Sequence, residues 1–233
     1  MNTILRYLDD MSCLFYPRLC LACERKDVPP KQILCISCEA KLPRTNFHLY
    51  KENEFTQRFW GRLPLEYACA LYFFEKESRA QNLIHNLKYK GKQKVGIMLG
   101  QVFGKLLKDT PSYQDIDLII PIPLHRKKER QRGFNQSAVF AQGISEEMEI
   151  PWQRDILIKT KNTSSQTKKS RKERFENVVE AFHVLSPKKL EGKHILLVDD
   201  VLTTGATLEA GAVKVLEVPD TKVSLATIAF AKN

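Results

Sequence analysis

The chain of 233 residues has no apolar run near the roughly 18 residues that a membrane-crossing helix needs, so a bilayer-spanning segment is not expected. A secretion signal is missing too, because Arg6, Asp9 and Asp10 interrupt what would be its apolar region. A cytoplasmic protein is expected. Internal repeats and low-complexity tracts are absent, which sets aside solenoids and disordered tails. Most of the chain also lacks net charge. Segment 125–132 carries Arg126, Lys127, Lys128, Arg130 and Arg132 against Glu129. Segment 159–174 carries Lys159, Lys161, Lys168, Lys169, Arg171, Lys172 and Arg174 against Glu173. These two stretches account for the whole excess of +10. Charge serving solubility alone would be spread evenly, so two patches point to polyanionic ligands: a pyrophosphate, a nucleic acid or both.

Four of the six cysteines form Cys20-x-x-Cys23 and Cys35-x-x-Cys38, separated by eleven residues. Two such knuckles bring four thiolates around one ion, which suits tetrahedral zinc. The spacer is short for this pattern but within reach of a tight hairpin. Disulfides fit a reducing compartment less well, and neither pair follows a strand as a redox Cys-x-x-Cys would. With all four positions filled, the ion's role is structural. Residues 17–43 are too few to build a core, so the metal supplies folding energy there. Ahead of them Ile4, Leu5, Leu8, Met11, Leu14 and Phe15 form a helical stripe, read as a docking face against the main domain, with a membrane anchor as the alternative.

The stretch from His194 to Thr207 is the most informative. An apolar run, His194-Ile-Leu-Leu-Val198, ends in Asp199-Asp200, then Val201-Leu202 and the loop Thr203-Thr204-Gly205-Ala206-Thr207. The run reads as a strand buried on both faces of a parallel sheet. Ligands of such sheets sit beyond the carboxyl ends of strands, where these residues fall. Amide groups of a tight loop entering a helix attract phosphate. Carboxylates repel phosphate but suit sugar hydroxyls or a metal ion. Together they describe a ribose 5-phosphate site. A chance acid pair beside ordinary Thr/Gly turn chemistry is the plain alternative.

Elsewhere the patterning predicts strands at 67–74, 117–121, 156–159, 182–185 and 223–230, and helices at 78–89, 95–108, 134–147 and 206–216. This alternation argues for a three-layer α/β domain. The organisation expected is an N-terminal helix and four-cysteine module over 1–48, a linker over 49–65 with a short helix near 54–60, and an α/β domain over 66–233.

The segment 198–207 resembles the 5-phosphoribosyl 1-pyrophosphate (PRPP) motif of type I phosphoribosyltransferases. Three further stretches narrow the resemblance: Pro121-Ile-Pro-Leu-His125 with Arg130-Gln-Arg-Gly-Phe-Asn-Gln136, Ser170-Arg-Lys-Glu-Arg174 with Asn177 and Ala181-Phe182, and the Leu-Ile-x-x-Leu-Lys-Tyr-Lys of residues 83–90. With the cysteines in front, the chain is similar to the ComF family. That resemblance implies a mostly parallel sheet of the type I phosphoribosyltransferase kind preceded by a small zinc-ribbon-like module. It also implies a role in natural competence, handling incoming single-stranded DNA inside the cell, with a competence helicase as a candidate partner.

By the same resemblance Thr203, Thr204, Gly205, Ala206 and Thr207 hold the 5-phosphate. Asp199 and Asp200 take the ribose hydroxyls and are the candidate catalytic pair, with Mg2+ bridging sugar oxygens and pyrophosphate. Leu124, His125 and Arg126 fall at the pyrophosphate loop, where a solvated basic loop is the plain alternative, and Arg171 falls on a lid. Lys127, Lys128, Arg130, Arg132, Lys168, Lys169, Lys172 and Arg174 are left as DNA-binding candidates. Two departures matter. Thr203 stands where purine-salvage members carry an Asp base, and Asn2 stands where a glutamine-hydrolysing domain would carry a nucleophilic Cys. The functional expectation is a PRPP- or nucleotide-binding protein of DNA uptake. The alternative is an active Mg-dependent phosphoribosyltransferase with an unidentified base or amine as acceptor.

Overall fold

The computed structural model describes residues 19–25, 28–29, 32–76, 78–89, 93–161 and 176–232. The N-terminal apolar stripe and Lys168, Lys169, Arg171, Lys172 and Arg174 lie outside them. In chain order the elements are α1 (Ile36–Lys41), α2 (Glu54–Gln57), β1 (Ala68–Phe74), α3 (Arg79–Tyr89), α4 (Gln93–Lys108), β2 (Leu118–Pro121) and α5 (Arg126–Arg132). They continue with α6 (Gln136–Met148), β3 (Leu157–Lys159), β4 (Phe182–Val184), β5 (His194–Leu202), α7 (Ala206–Leu216) and β6 (Lys222–Ala231).

Strands β1, β6, β5 and β2 form a parallel sheet in that order. Every residue from His194 to Val198 and from Val223 to Phe230 is buried, so both faces of the two central strands are covered. This is why they read as continuous apolar runs and not as alternating ones. Both edges of the sheet are covered. Residues 43–45 run antiparallel beside β1, with Phe73 N donating to Pro43 O at 2.8 Å and Thr45 N to Leu71 O at 3.2 Å. Trp152 bridges Ile119 on the β2 side. Strands β3 and β4 form a separate antiparallel pair.

The strands predicted between residues 67 and 230 and the helices predicted between 78 and 216 are all present, while the expected N-terminal helix lies outside the described residues. The main difference is in β5, which does not stop at Val198. Strand β2 ends at Pro121, opposite Val198, while β5 runs on to Leu202 beside β6. The acid pair therefore lies inside the strand, next to the gap that β2 leaves.

Within residues 49–65, expected as a linker, Asn53, Phe55, Thr56 and Phe59 are buried against the domain while most of the other residues stay exposed. Phe55 and Phe59 are fully buried, and the Phe55 ring lies 5.9 Å from those of Phe59 and Phe230. Asn53 caps α2 by accepting from Phe55 N and Thr56 N, while its amide donates to the carbonyls of Phe47, Tyr50 and Ala68. Poor periodicity hid this because the segment folds as tight turns around two aromatic anchors. The apolar core runs without a break from Cys20, Cys35 and Cys38 to the sheet.

Helices α4 and α6 cross at backbone contact. Gly96, Gly100 and Gly104 repeat every fourth residue on α4; Gly143 of α6 meets Gly100, while Gly96 lies against Val139 and Gly104 against Ile144 and Glu147. A Cβ at Gly143 would lie 2.0 Å from Ile97 O, and one at Gly100 2.3 Å from Phe140 O, both backbone atoms that cannot swing aside. Gly143→Ala is expected to cost about 2–3 kcal/mol of unfolding free energy, as overpacking does, measured by urea denaturation. A loss under about 0.5 kcal/mol, the range of neutral surface changes, would rule out so close a crossing.

Candidate functional site

The site forms where β5 outruns β2. Beyond Pro121 the chain turns away through Ile122, Pro123 and Leu124, with Ile122 N donating to Val198 O at 2.8 Å. Asn135 fixes this turn from the other side. Its amide donates to Ile122 O at 2.9 Å, and its Oδ1 accepts from Ser137 N at 3.1 Å, capping α6. The space between holds a cleft of about 430 Å³ whose floor is Asp199 and Asp200.

Asp199 Oδ1 accepts from Ser137 Oγ at 2.7 Å and from Asp200 N at 2.8 Å. Burial, and next the neighbouring Asp200 charge, push its pKa up to about 7 despite these donors. Asp200 Oδ2 pairs with Lys88 Nζ of α3 at 2.9 Å. Lys128, Arg132 and Lys159 complete a cationic rim around the carboxylates. The Lys159 ammonium lies 4.8 Å over the Phe182 ring, and burial, with Lys128 nearby, lowers its pKa.

The loop 203–205 closes the cleft and leads into α7. Gly205 has φ of +84°, the left-handed region that glycine enters without strain. A Cβ there would lie 2.9 Å from the Phe59 ring, so the bracing segment also requires glycine. Glu209 N is bonded to Gly205 O, and the amides of the first α7 turn have no intrahelical acceptor, so they are suited to an anion. Arg58 holds the loop from outside, donating to Thr203 O at 2.5 Å and Ala231 O at 2.6 Å while stacking 4.6 Å over Phe230. Arg62 pairs at 2.5 Å with Glu209, a buried acid in that first turn. The pairing offsets a negative charge that would otherwise oppose a phosphate.

The sequence-derived residues separate as follows. Asp199, Asp200, Thr203, Thr207, Leu124 and His125 line one cleft. Thr204 is exposed beside it, and Gly205 is buried beneath. Residues 126–132, expected as a loop, form the short helix α5. His125 Nδ1 caps it by accepting from Lys127 N at 3.2 Å, and Gly133, at φ of +83°, ends it. Helical spacing brings Lys128 and Arg132 to the rim of the cleft, where Lys128 stays exposed and Arg132 is half-buried. Arg126 lines a neighbouring cavity with Arg154 and Glu129, away from the carboxylates. Lys127 and Arg130 are exposed. Lys88, Ser137 and Lys159 were missed as site residues. Lys88 stood in the Leu-Lys-Tyr-Lys stretch without a role, and Ser137 gave no signal of its own.

The four sulfurs of Cys20, Cys23, Cys35 and Cys38 lie within 4.8 Å of one another, and Cys23 Sγ and Cys35 Sγ are 3.8 Å apart. A tetrahedral ion with bonds of about 2.3 Å needs sulfurs spaced about 3.8 Å, so the cluster can hold a metal ion. Burial opposes ionisation of Cys20, yet the amides of Cys35, Ala22 and Cys23 outweigh it and bring its pKa down to about 7. Burial, followed by hydrogen bonds from the other thiols, pushes Cys38 up. Crowded sulfurs thus resist a second negative charge unless a cation joins them.

The raised pKa of Asp199 has a consequence for stability. Its folded pKa, about 7, lies above the ordinary value of 3.8, so the folded state holds its proton more tightly. Stability from this group therefore falls as pH rises between those values. Asp199→Asn should melt higher than the wild type at pH 8, with the gain shrinking towards pH 4. A gain that did not change with pH would place its cause elsewhere.

Among known proteins, the phosphoribosyl transferase domain family matches residues 135–233. The chain is 31% identical to the DNA utilization protein YhgH of Shigella flexneri over 198 residues, covering 82% of this chain and 80% of the relative. It is 36% identical to the competence protein ComFC of Bacillus subtilis over 100 residues, covering 43% and 38%. A solved B. subtilis glutamine PRPP amidotransferase superposes with a TM-score of 0.44 at 20% identity, over 62% of this chain and 30% of that one. With a four-cysteine cluster ahead of a parallel-sheet phosphoribosyl transferase domain, and one relative matched over 80% of its length, the chain belongs to the ComF family.

Proposed function

We propose that this protein binds PRPP or a related nucleotide and handles incoming single-stranded DNA in the cytoplasm during natural competence. One observation carries the ligand reading: two carboxylates on a strand that outruns its neighbour, Thr203 and Thr207 of the glycine-turned loop at a helix start, and a rim of cations all line a single cleft. The amides and hydroxyls of 203–207 hold the 5-phosphate. Asp199 and Asp200 accept from the ribose hydroxyls, and His125, Lys128 and Arg132 face the pyrophosphate. Arg126 serves a neighbouring phosphate more readily than this one, since it opens onto the adjacent cavity. The relatives' names, DNA utilization protein and competence protein, support the DNA role.

Two metals belong to this reading. Zinc fits the four sulfurs and ties residues 20–38 into the shared core. The acid pair fits Mg2+, because burial, and next the Asp200 charge, oppose ionisation of Asp199, and a divalent cation offsets both. When bound with PRPP, Mg2+ supplies positive charge to the pyrophosphate. The chain's own part is to orient the sugar, neutralise the leaving group through Lys128, Arg132 and Lys159, and limit water in the cleft.

The intact acid pair and cationic rim favour a second reading, active transfer of phosphoribose to a base or amine. Thr203 cannot serve as a base at neutral pH, so the acceptor would arrive deprotonated or lose its proton elsewhere. Pyrophosphate release screened across nucleobases and amines decides between the two.

Replacing Asp199 and Asp200 together by Asn should weaken PRPP and ribose 5-phosphate binding at least tenfold while leaving single-stranded DNA binding within about twofold, measured by calorimetry and anisotropy. Equal loss of both would mean that the pair merely maintains the fold. DNA affinity should fall steeply with salt, with a log–log slope of about −0.7 per phosphate contacted. A flat response would remove the basic residues from DNA binding.

A further inference from the structure

Helix α3 divides its residues among three surfaces. Leu83 and Leu87 enter the core. Asn82 Nδ2 donates to Ala22 O at 2.9 Å and Asn86 Nδ2 to Leu21 O at 2.8 Å, which ties the helix to the turn between Cys20 and Cys23. Gln81, Ile84, His85 and Lys88, spaced as one helical face, line the acid-pair cleft. On that face Lys88 Nζ reaches Asp200 Oδ2 at 2.9 Å, and the two side chains keep only 21% and 14% of their exposure.

Those positions give Lys88 an unusual status. It sits against the carboxylate that a ribose hydroxyl or a divalent cation would need, and it does so from a helix clamped in place two turns back and at the adjacent turn. The helix is fixed, but the ammonium rides on a flexible four-carbon stem with three donors.

We propose that Lys88 is a ligand-binding residue of this cleft: it is the resident counter-ion of the acid pair and passes to the ligand's anionic oxygens when sugar hydroxyls or a divalent cation take its place on Asp200. The inference rests on the ribose-phosphate reading and adds a residue and an exchange to it. Two cations cannot share Asp200 without repelling each other, so Lys88 and Mg2+ compete for that carboxylate. The ammonium thereby does part of the metal's work, and an anionic sugar phosphate retains affinity without magnesium. Asp199 is left to its hydrogen bonds from Ser137 and the Asp200 amide.

The test titrates PRPP by calorimetry into the wild type, Lys88→Met and Lys88→Arg, in magnesium-free buffer and at saturating Mg2+. Thermal melts verify that each variant is folded. The expected result is a loss of about tenfold for Lys88→Met without magnesium, most of it recovered with the metal, and near-wild-type behaviour for Lys88→Arg. Should Lys88 only clip α3 to the sheet, Lys88→Met would lower the melting temperature and leave the ratio of affinities with and without magnesium as in the wild type. That result, or equal loss in both buffers, overturns the proposal while the ribose-phosphate reading stands. A wild type that binds no PRPP in either buffer overturns both.

Discussion

Two adjacent carboxylates on a strand that outlasts its neighbour are the constraint on which the site depends. Because β5 continues four residues past the point where β2 ends, Asp199 and Asp200 keep β6 on one side and face a gap on the β2 side. Neither full solvent nor a closed core surrounds them, so their mutual repulsion must be met locally. Ser137 answers with a hydroxyl, Lys88 with a charge, and Lys128, Arg132 and Lys159 with a positive rim. Burial, and next the Asp200 charge, still push the pKa of Asp199 up to about 7. Such a pair is costly to keep and is useful only where a ligand brings donors or a cation.

The segment ahead of the sheet is part of this arrangement. Residues 43–45 cover the free edge of β1, Phe55 and Phe59 fill the space under the loop, and Arg58 and Arg62 fix its carbonyl and its buried acid. The cysteine turn grips α3 through Asn82 and Asn86, and α3 supplies a wall of the cleft. The four-cysteine cluster and the phosphoribosyl transferase domain therefore share one core, and helix α3 is bonded to the cysteine turn while it lines the cleft.

Much of this was legible in the sequence because it rests on local rules. Helix α7 begins after Gly205 as the loop chemistry requires, the apolar run of β5 announces a covered parallel strand, and the two Cys-x-x-Cys pairs meet as their spacing implies. What escaped rests on distant partners. Lys88 and Asp200 are 112 residues apart, and Ser137 and Asp199 are 62 apart, so no window contains either pair. The basic stretch 125–132 looked like one patch, but a short helix sorts it, with Lys128 and Arg132 at the cleft rim, Lys127 and Arg130 away from it and Arg126 lining another cavity. Helical periodicity was available there, yet seven residues without apolar positions gave nothing to register it against. Phe55 and Phe59, four apart after a capping Asn53, were a signal for packing in a segment whose breakers suggested a linker.

The most direct measurement is a crystal structure of the full chain soaked with ribose 5-phosphate. The phosphate is predicted on the amides of residues 204–207, with the sugar hydroxyls on Asp199 and Asp200. A phosphate seated instead between Arg126 and Arg154, with the acid pair still on Lys88 and no sugar near it, would contradict the account.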